Sequence, residues 1–337
     1  MTAGRSRRGR GRGSGGRSLP VTAAAVAVAV AVAVVAAAAA APRVAAQRWT
    51  RTVGGAVVTL AGGGPGGRIV GGRPVTADDA TYGGGFYTRL FQPLDATNTQ
   101  AIYYCGGALI AEDKVLTAAH CFRTRTSAQD AVGDIIQIGG RSFNTGIQKT
   151  VGAVAVHPQY VDSGTDLVYD FAILTIANPP TAAEYAAAGI APAFVNTFSR
   201  FPRSGSTKAV VGHGLTDGTN EQSVSSRLLL ARVPVNAWSQ CNAWWVRRNF
   251  PGAVRPATSE ALQFCGGLGT RQTTCEGDSG GPVFERFSLP RGEFFSILGV
   301  VSYGFEDTRN AANRCGTLNP SYFAKVSIAR AFIRANV

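Results

Sequence analysis

Near its C-terminus the chain reads Gly277-Asp278-Ser279-Gly280-Gly281-Pro282. A serine set among glycines lies where the backbone can take positive φ and approach a ligand closely. That setting suits a nucleophile whose hydroxyl is exposed while nearby backbone N–H groups face the oxygen it attacks. A Gly-rich turn carrying one polar residue is the plain alternative. An alcohol is a poor nucleophile at neutral pH and needs a base. The three histidines are His120, His157 and His213. His157 falls in a His-Pro-Gln-Tyr turn and His213 between two glycines, and both have ready structural explanations. His120 closes the apolar run Leu116-Thr117-Ala118-Ala119-His120-Cys121, whereas Asp170 heads another, Asp170-Phe171-Ala172-Ile173-Leu174. A carboxylate in that place is expected to be buried, which is costly unless it is paired or hydrogen-bonded. Holding an imidazole and stabilising its cation would satisfy it, and an exposed strand-start aspartate is the alternative.

The elements that must position these groups are short. From residue 69 onward, β-rich runs are separated by Gly, Pro, Asn and Asp turns, at 102–110, 114–118, 134–138, 149–156, 170–176, 207–212, 228–235, 281–287, 294–301 and 322–328. Such spacing predicts an all-β sandwich or a pair of barrels. Ser327–Ala335 is expected to form a terminal helix, and 177–205 and 242–262 are longer connections. Repeats at solenoid or propeller periods are absent.

Ahead of this body the texture differs. Residues 1–20 are basic, and 21–41 form an unbroken run of small apolar residues followed by Pro42 and Val44-Ala45-Ala46. Residues 1–46 read as a signal peptide cut before Gln47. An uncleaved signal anchor is the rival, since the run reaches bilayer-spanning length. In either case the body is expected outside the cytosol: secreted and extracellular, or membrane-anchored if the leader is retained. Residues 47–68 are Gly-rich and read as a flexible activation pro-segment. Arg68 precedes Ile69-Val70-Gly71-Gly72 in a setting suited to proteolytic cutting.

The formal charge of +13 resides mostly in the leader. Residues 1–68 hold ten arginines and no acid, and removing those ten from the 33 basic residues leaves 23 against 20 acidic, a net of +3. No dense basic patch remains in the body, which argues against a nucleic-acid partner. The six cysteines at 105, 121, 241, 265, 275 and 315 all lie in the body. An even count behind an export signal favours disulfides. Six cysteines permit 15 connectivities, so spacing alone leaves the pairing open. No C-x-x-C pair and no convincing acidic calcium loop occur, so no metal and no cofactor are expected. Asn-x-Ser/Thr sequons with a permitted middle residue are absent.

Taken in order, Arg68|Ile69-Val70-Gly71-Gly72, the run ending in His120-Cys121, the run beginning at Asp170 and the Gly277–Pro282 stretch strongly resemble the chymotrypsin–trypsin family of serine endopeptidases, over essentially all of 69–337. The resemblance implies two six-stranded antiparallel β-barrels, about 69–195 and 196–337, with a C-terminal helix. His120 would be general base and then general acid, Asp170 its orienting acid and Ser279 the nucleophile. The backbone N–H groups of Gly277 and Ser279 would form the oxyanion hole. Asp278 would pair with the new ammonium of Ile69 after cleavage at Arg68, and before cleavage the Gly277–Ser279 loop should be poorly formed. The implied disulfides are Cys105–Cys121, Cys241–Cys265 and Cys275–Cys315. Thr273 would floor the specificity pocket, Ser302-Tyr303-Gly304 would form its wall, and Ser321 would limit its depth. A neutral floor favours apolar or aromatic side chains. Glu276 at the mouth and Glu306-Asp307 nearby are acids that would invite a basic one. Trp238, Trp244 and Trp245 around Cys241 are expected to be packing. Expected partners are protein or peptide substrates and an activating protease, with the body a monomer. A homologue that has lost catalysis and only binds is the competing function, although His120, Asp170 and Ser279 are all present.

Overall fold

The structure is a computed structural model of the full chain. Its described residues are 49–53, 56–60 and 69–337, apart from 77–78, 80–84, 96–97, 99–100, 164–165, 216–223, 249–258, 271, 291, 305–314 and 316–318. The leader, Arg68 and Glu306-Asp307 therefore lie outside the described residues.

β1 (Trp49–Val53) and β2 (Ala56–Leu60) pair as an antiparallel hairpin. They lie within the segment expected to be an activation pro-segment. The β-branched runs Thr-Arg-Thr-Val and Val-Val-Thr flank Gly54-Gly55, a turn signal in a stretch that is otherwise Gly-rich. β3 is the short Arg73–Pro74.

The first barrel is built from β4 (Tyr87–Pro93), β5 (Ala101–Ala111), β6 (Lys114–Thr117), β7 (Ile135–Ile138), β8 (Ile147–Val156) and β11 (Ala172–Ala177). It closes in the order β11-β6-β5-β4-β7-β8. Between its last two strands, β9 (Val161–Asp162) and β10 (Leu167–Val168) form a small separate pair. Closure removes exposed edges and gives each strand a face to bury. Helix α1 (Ala182–Ala187) follows, started by a capping box between Thr181 and Glu184.

The second half comprises β12 (Phe194–Val195), β13 (Thr207–Gly212), β14 (Leu229–Pro234), helices α2 (Trp238–Arg248) and α3 (Ser259–Leu262), β15 (Gln263–Gly266), β16 (Pro282–Leu289), β17 (Gly292–Gly304) and β18 (Ser321–Lys325). Its strands run β15-β18-β17-β16-β13-β14-β3, with β12 added beside β17. The sheet curls into a half-barrel where a closed second barrel was expected. The seam between β14 and β15 carries an isolated bridge, Val235 to Gly266, in place of a ladder. A turn of 3₁₀-helix, Val326–Ala329, leads into the terminal helix α4 (Arg330–Asn336).

One apolar cluster runs from the first barrel (Leu90, Leu116, Ile173) into the second (Val211, Phe284, Ile297, Val300), so the two halves share a core. The disulfides are Cys105–Cys121, Cys241–Cys265 and Cys275–Cys315, the pairing that the resemblance implies. The first closes a loop of 16 residues, worth about 3 kcal/mol on chain-entropy grounds. Among the described residues no helix is long and apolar enough to cross a membrane.

Candidate active site

His120 stands in a 3₁₀ turn, Ala119–Phe122, directly after β6. Asp170 lies just ahead of β11, which pairs with β6. Strand pairing thus delivers the acid to the histidine. Asp170 Oδ1 accepts the His120 backbone N–H at 2.8 Å, and Oδ2 lies 2.7 Å from His120 Nδ1. The Ser302 hydroxyl donates to the same Oδ2 at 2.5 Å. Asp170 is wholly buried. Burial alone would raise its pKa, but the charge and hydrogen bonds of His120, with the Ser302 hydroxyl, outweigh it and hold the carboxyl below its ordinary value. An ionised carboxylate accepts only, so His120 Nδ1 is the donor in this pair.

Ser279 reaches this place through its backbone. Its carbonyl accepts from Gly106 N at 2.8 Å, next to Cys105, whose disulfide partner Cys121 adjoins His120. Gly280 has φ +77°, and a Cβ there would sit 2.2 Å from Thr117 Oγ1 and 2.5 Å from the Gly106 carbonyl. Only glycine allows the serine loop to lie so close to the chain leading into His120. Gly280 N also donates to Val301 O at 2.9 Å, one residue before Ser302. The Ser279 loop, the histidine turn and Asp170 are thereby tied together across both halves.

The comparisons with known proteins agree. The family model described as Trypsin matches residues 69–333. The chain belongs to the trypsin family. It is 30% identical over 265 residues to "Serine protease Hayan" of Drosophila melanogaster, covering 76% of this chain and 38% of that protein. With "Trypsin-1" of Salmo salar it shares 28% identity over 262 residues, covering 77% and 92%. In fold it is similar to neuropsin, a serine protease expressed in the limbic system of mouse brain, with a TM-score of 0.57, 21% identity and coverage of 79% and 98%.

Within this trypsin-family frame, Asp278 is completely buried. Its oxygens accept from Gly214 N at 2.8 Å and Cys275 N at 2.9 Å. Burial dominates these hydrogen bonds and pushes its pKa up to about 7. The Gly277–Ser279 loop carries hydrogen bonds from Gly106 N to Ser279 O at 2.8 Å, from Asp278 N to Cys275 O at 3.0 Å and from the Tyr103 hydroxyl to Gly277 O at 2.6 Å. On either side of it, Glu276 O accepts Leu215 N at 2.8 Å and Gly280 N donates to Val301 O at 2.9 Å. Ile69 is buried with Val210, Leu229 and Val233, and Val70 O accepts from Thr273 N at 3.2 Å.

Thr273 and Ser321 meet, with Oγ1 and Oγ 2.9 Å apart. Thr274, which the sequence reading passed over, donates to the same Ser321 hydroxyl at 2.7 Å. Tyr303 stacks on Tyr322 at 4.9 Å and donates to Asp166 Oδ1 at 2.6 Å. Gly304 pairs with Ser321 across β17 and β18. Ser302, expected as wall, also turns its hydroxyl to Asp170. A register shift in β17 between Val301 and Tyr303 accompanies that turn. Glu276 accepts Leu215 N through its carbonyl at 2.8 Å.

The other histidines are structural, as expected. His213 accepts from Arg89 Nε at 2.7 Å, donates to Ser225 O at 2.8 Å and stacks on Phe143, and burial with the Arg89 charge holds its pKa far below normal. His157 stacks on Tyr169 at 4.7 Å, and burial lowers its pKa. Trp238 packs edge-on against Tyr322 and Trp244 is buried, in keeping with a packing role.

Proposed function

We propose that this trypsin-family protein is a secreted serine endopeptidase, made as a zymogen and switched on by cleavage after Arg68. The observation that carries the reading is the line Ser302–Asp170–His120, together with the Ser279 loop that Gly106 N holds and that lies against the chain leading into His120. Ser279 Oγ attacks the substrate carbonyl while His120 Nε2 takes its proton. Asp170 stabilises the resulting imidazolium. The negative oxygen of the tetrahedral adduct is met by the N–H groups of Gly277 and Ser279, where losing one such donor costs about 2.7–4 kcal/mol. His120 then protonates the leaving amine, and the acyl group stays on Ser279. Water, deprotonated by His120, hydrolyses that ester.

Activation follows from the Asp278 carboxylate, which is buried and met by two amides but by no cation among the described residues. Cutting after Arg68 creates an ammonium on Ile69, the charge such a group lacks. The hydroxyls of Thr273, Thr274 and Ser321 satisfy one another, which leaves a neutral floor suited to uncharged apolar or aromatic side chains. The leader supports export, with retention as an anchor the other fate.

A fluorophosphonate probe tests the reading. After proteolysis at Arg68, labelling is expected on Ser279 and absent from Ser279→Ala, and the Arg68→Gln chain should stay unlabelled. A folded, processed and unlabelled wild type would instead identify a binding homologue. Cleavage of a mixed peptide library reads the selectivity.

A further inference from the structure

The oxyanion donor Gly277 N–H belongs to a loop whose direction is set by what holds its peptides. Gly277 has φ +89°, so the planes on either side of it can turn at little steric cost. Hydrogen bonds oppose that freedom. The Glu276 carbonyl accepts Leu215 N at 2.8 Å. In a trans peptide C=O and N–H point opposite ways, so this bond aims Gly277 N–H away from Leu215. The next peptide is held on both edges. Asp278 N donates to Cys275 O at 3.0 Å, and the Gly277 carbonyl accepts the Tyr103 hydroxyl at 2.6 Å.

Tyr103 is itself supported. Its hydroxyl lies 3.1 Å from that of Tyr87. A phenol has one proton, and Tyr103 commits its own to Gly277 O, so Tyr87 is the donor to Tyr103. Tyr87 is fully buried, and its ring lies under the Arg89 guanidinium at 5.6 Å. The Tyr103 ring packs on Phe143 at 5.3 Å and Phe91 at 5.6 Å. Tyr103 is on β5, the strand that also supplies Gly106 N to Ser279 O and Cys105 to the disulfide behind His120. A single strand therefore sets the oxyanion loop, the nucleophile and the base.

We propose that Tyr103, backed by Tyr87, is a positioning residue for the reaction: its hydroxyl fixes the Gly277–Asp278 peptide and so keeps Gly277 N–H aimed at the developing oxyanion. The proposal rests on the peptidase reading above. It concerns the hydroxyl alone, because phenylalanine would preserve the packing.

The test compares processed wild type with Tyr103→Phe, Tyr87→Phe and the double variant. Tyr103→Phe is expected to lower kcat about tenfold, the scale of one lost hydrogen bond, with KM little changed. A peptidyl trifluoromethyl ketone, which forms a tetrahedral adduct with Ser279, should bind weaker by the same factor. Followed by carbon NMR at a labelled carbonyl, the hemiketal hydroxyl of that adduct should titrate at higher pH in the variant, which lost packing would not produce. Tyr87→Phe should give a smaller change in the same direction, and the double variant should be no worse than Tyr103→Phe alone. Unchanged kcat and hemiketal titration in Tyr103→Phe overturn the proposal and leave the peptidase reading standing. If Tyr103→Phe does not fold, Tyr87→Phe decides through the hemiketal titration, and no shift there overturns it. A processed wild type that neither cleaves peptides nor labels with fluorophosphonate removes the peptidase reading, and this proposal with it.

Discussion

Ser302 Oγ and Asp170 Oδ2 are 2.5 Å apart, so the oxygen that faces His120 Nδ1 is also held from the second half of the molecule. The acid is fixed by two elements that meet only after both halves fold. Asp170→Asn should lower kcat by about 10⁴-fold, the loss known for the template triad of this family, because an amide favours the wrong imidazole tautomer. Ser302→Ala should act more gently, about tenfold on kcat/KM, and should raise the Asp170 pKa by removing a donor to its charged form. Steady-state kinetics across acidic pH measures both. An unchanged profile in Ser302→Ala would discount the contact.

The uncut chain should become less stable as pH rises through the range that ionises Asp278. Its folded pKa, about 7, lies above the ordinary value of 3.8, so its contribution is fully present below the unfolded pKa and lost as pH climbs toward 7. The full difference is on the order of 4 kcal/mol. Other carboxylates, Asp170 among them, slope the opposite way, so the readout is wild type minus Asp278→Asn in thermal melts from pH 4 to 8. The asparagine leaves one amide donor poorly met, a constant offset that does not alter the slope. After cleavage at Arg68 the sign should reverse, because the ammonium pairs with the ionised form.

Gly280→Ala should cost both stability and activity. The added methyl would overlap Thr117 Oγ1 and the Gly106 carbonyl at a backbone angle that alanine disfavours. A loss of about 2 kcal/mol or more is expected by denaturant titration, with fluorophosphonate labelling falling further than the folded fraction. Normal labelling in a folded variant would mean that the loop can back away without cost.

Thr273→Asp should redirect selectivity toward lysine or arginine. The new carboxylate would be met by the hydroxyl of Ser321 and would lie in a buried site where an unpaired charge is costly. The expected outcome is a gain on basic peptides in a library digest together with a loss of thermal stability that a basic product analogue restores. No change in preference would place the side-chain pocket elsewhere.

The sequence by itself determined the parts that rest on local chemistry and on patterns of short range. The runs ending at His120 and starting at Asp170 are strands because β-branched and apolar residues favour a pleated, half-buried surface, and ten such runs were legible. Glycines around Ser279 announced a loop with an unusual backbone. The cysteine count announced disulfides, and the family resemblance supplied their pairing. The hairpin Trp49–Val53/Ala56–Leu60 and strand Tyr87–Pro93 were hidden. Gly-rich surroundings masked the first, and the second carries a buried arginine, Arg89, whose charge argues against a core strand until its partners are seen.

Tertiary structure alone decided which groups complete the site. Ser302, read as wall, also holds Asp170, and it sits at a register shift in β17. Thr274 meets Ser321, the partner of Thr273, only once β18 brings that residue to it. Tyr103 carries no mark in sequence, being one aromatic in a strand, and reaches Gly277 from 174 positions away. Hydrogen bonds of that kind depend on how strands are stacked and registered, which residue order constrains only through the whole fold.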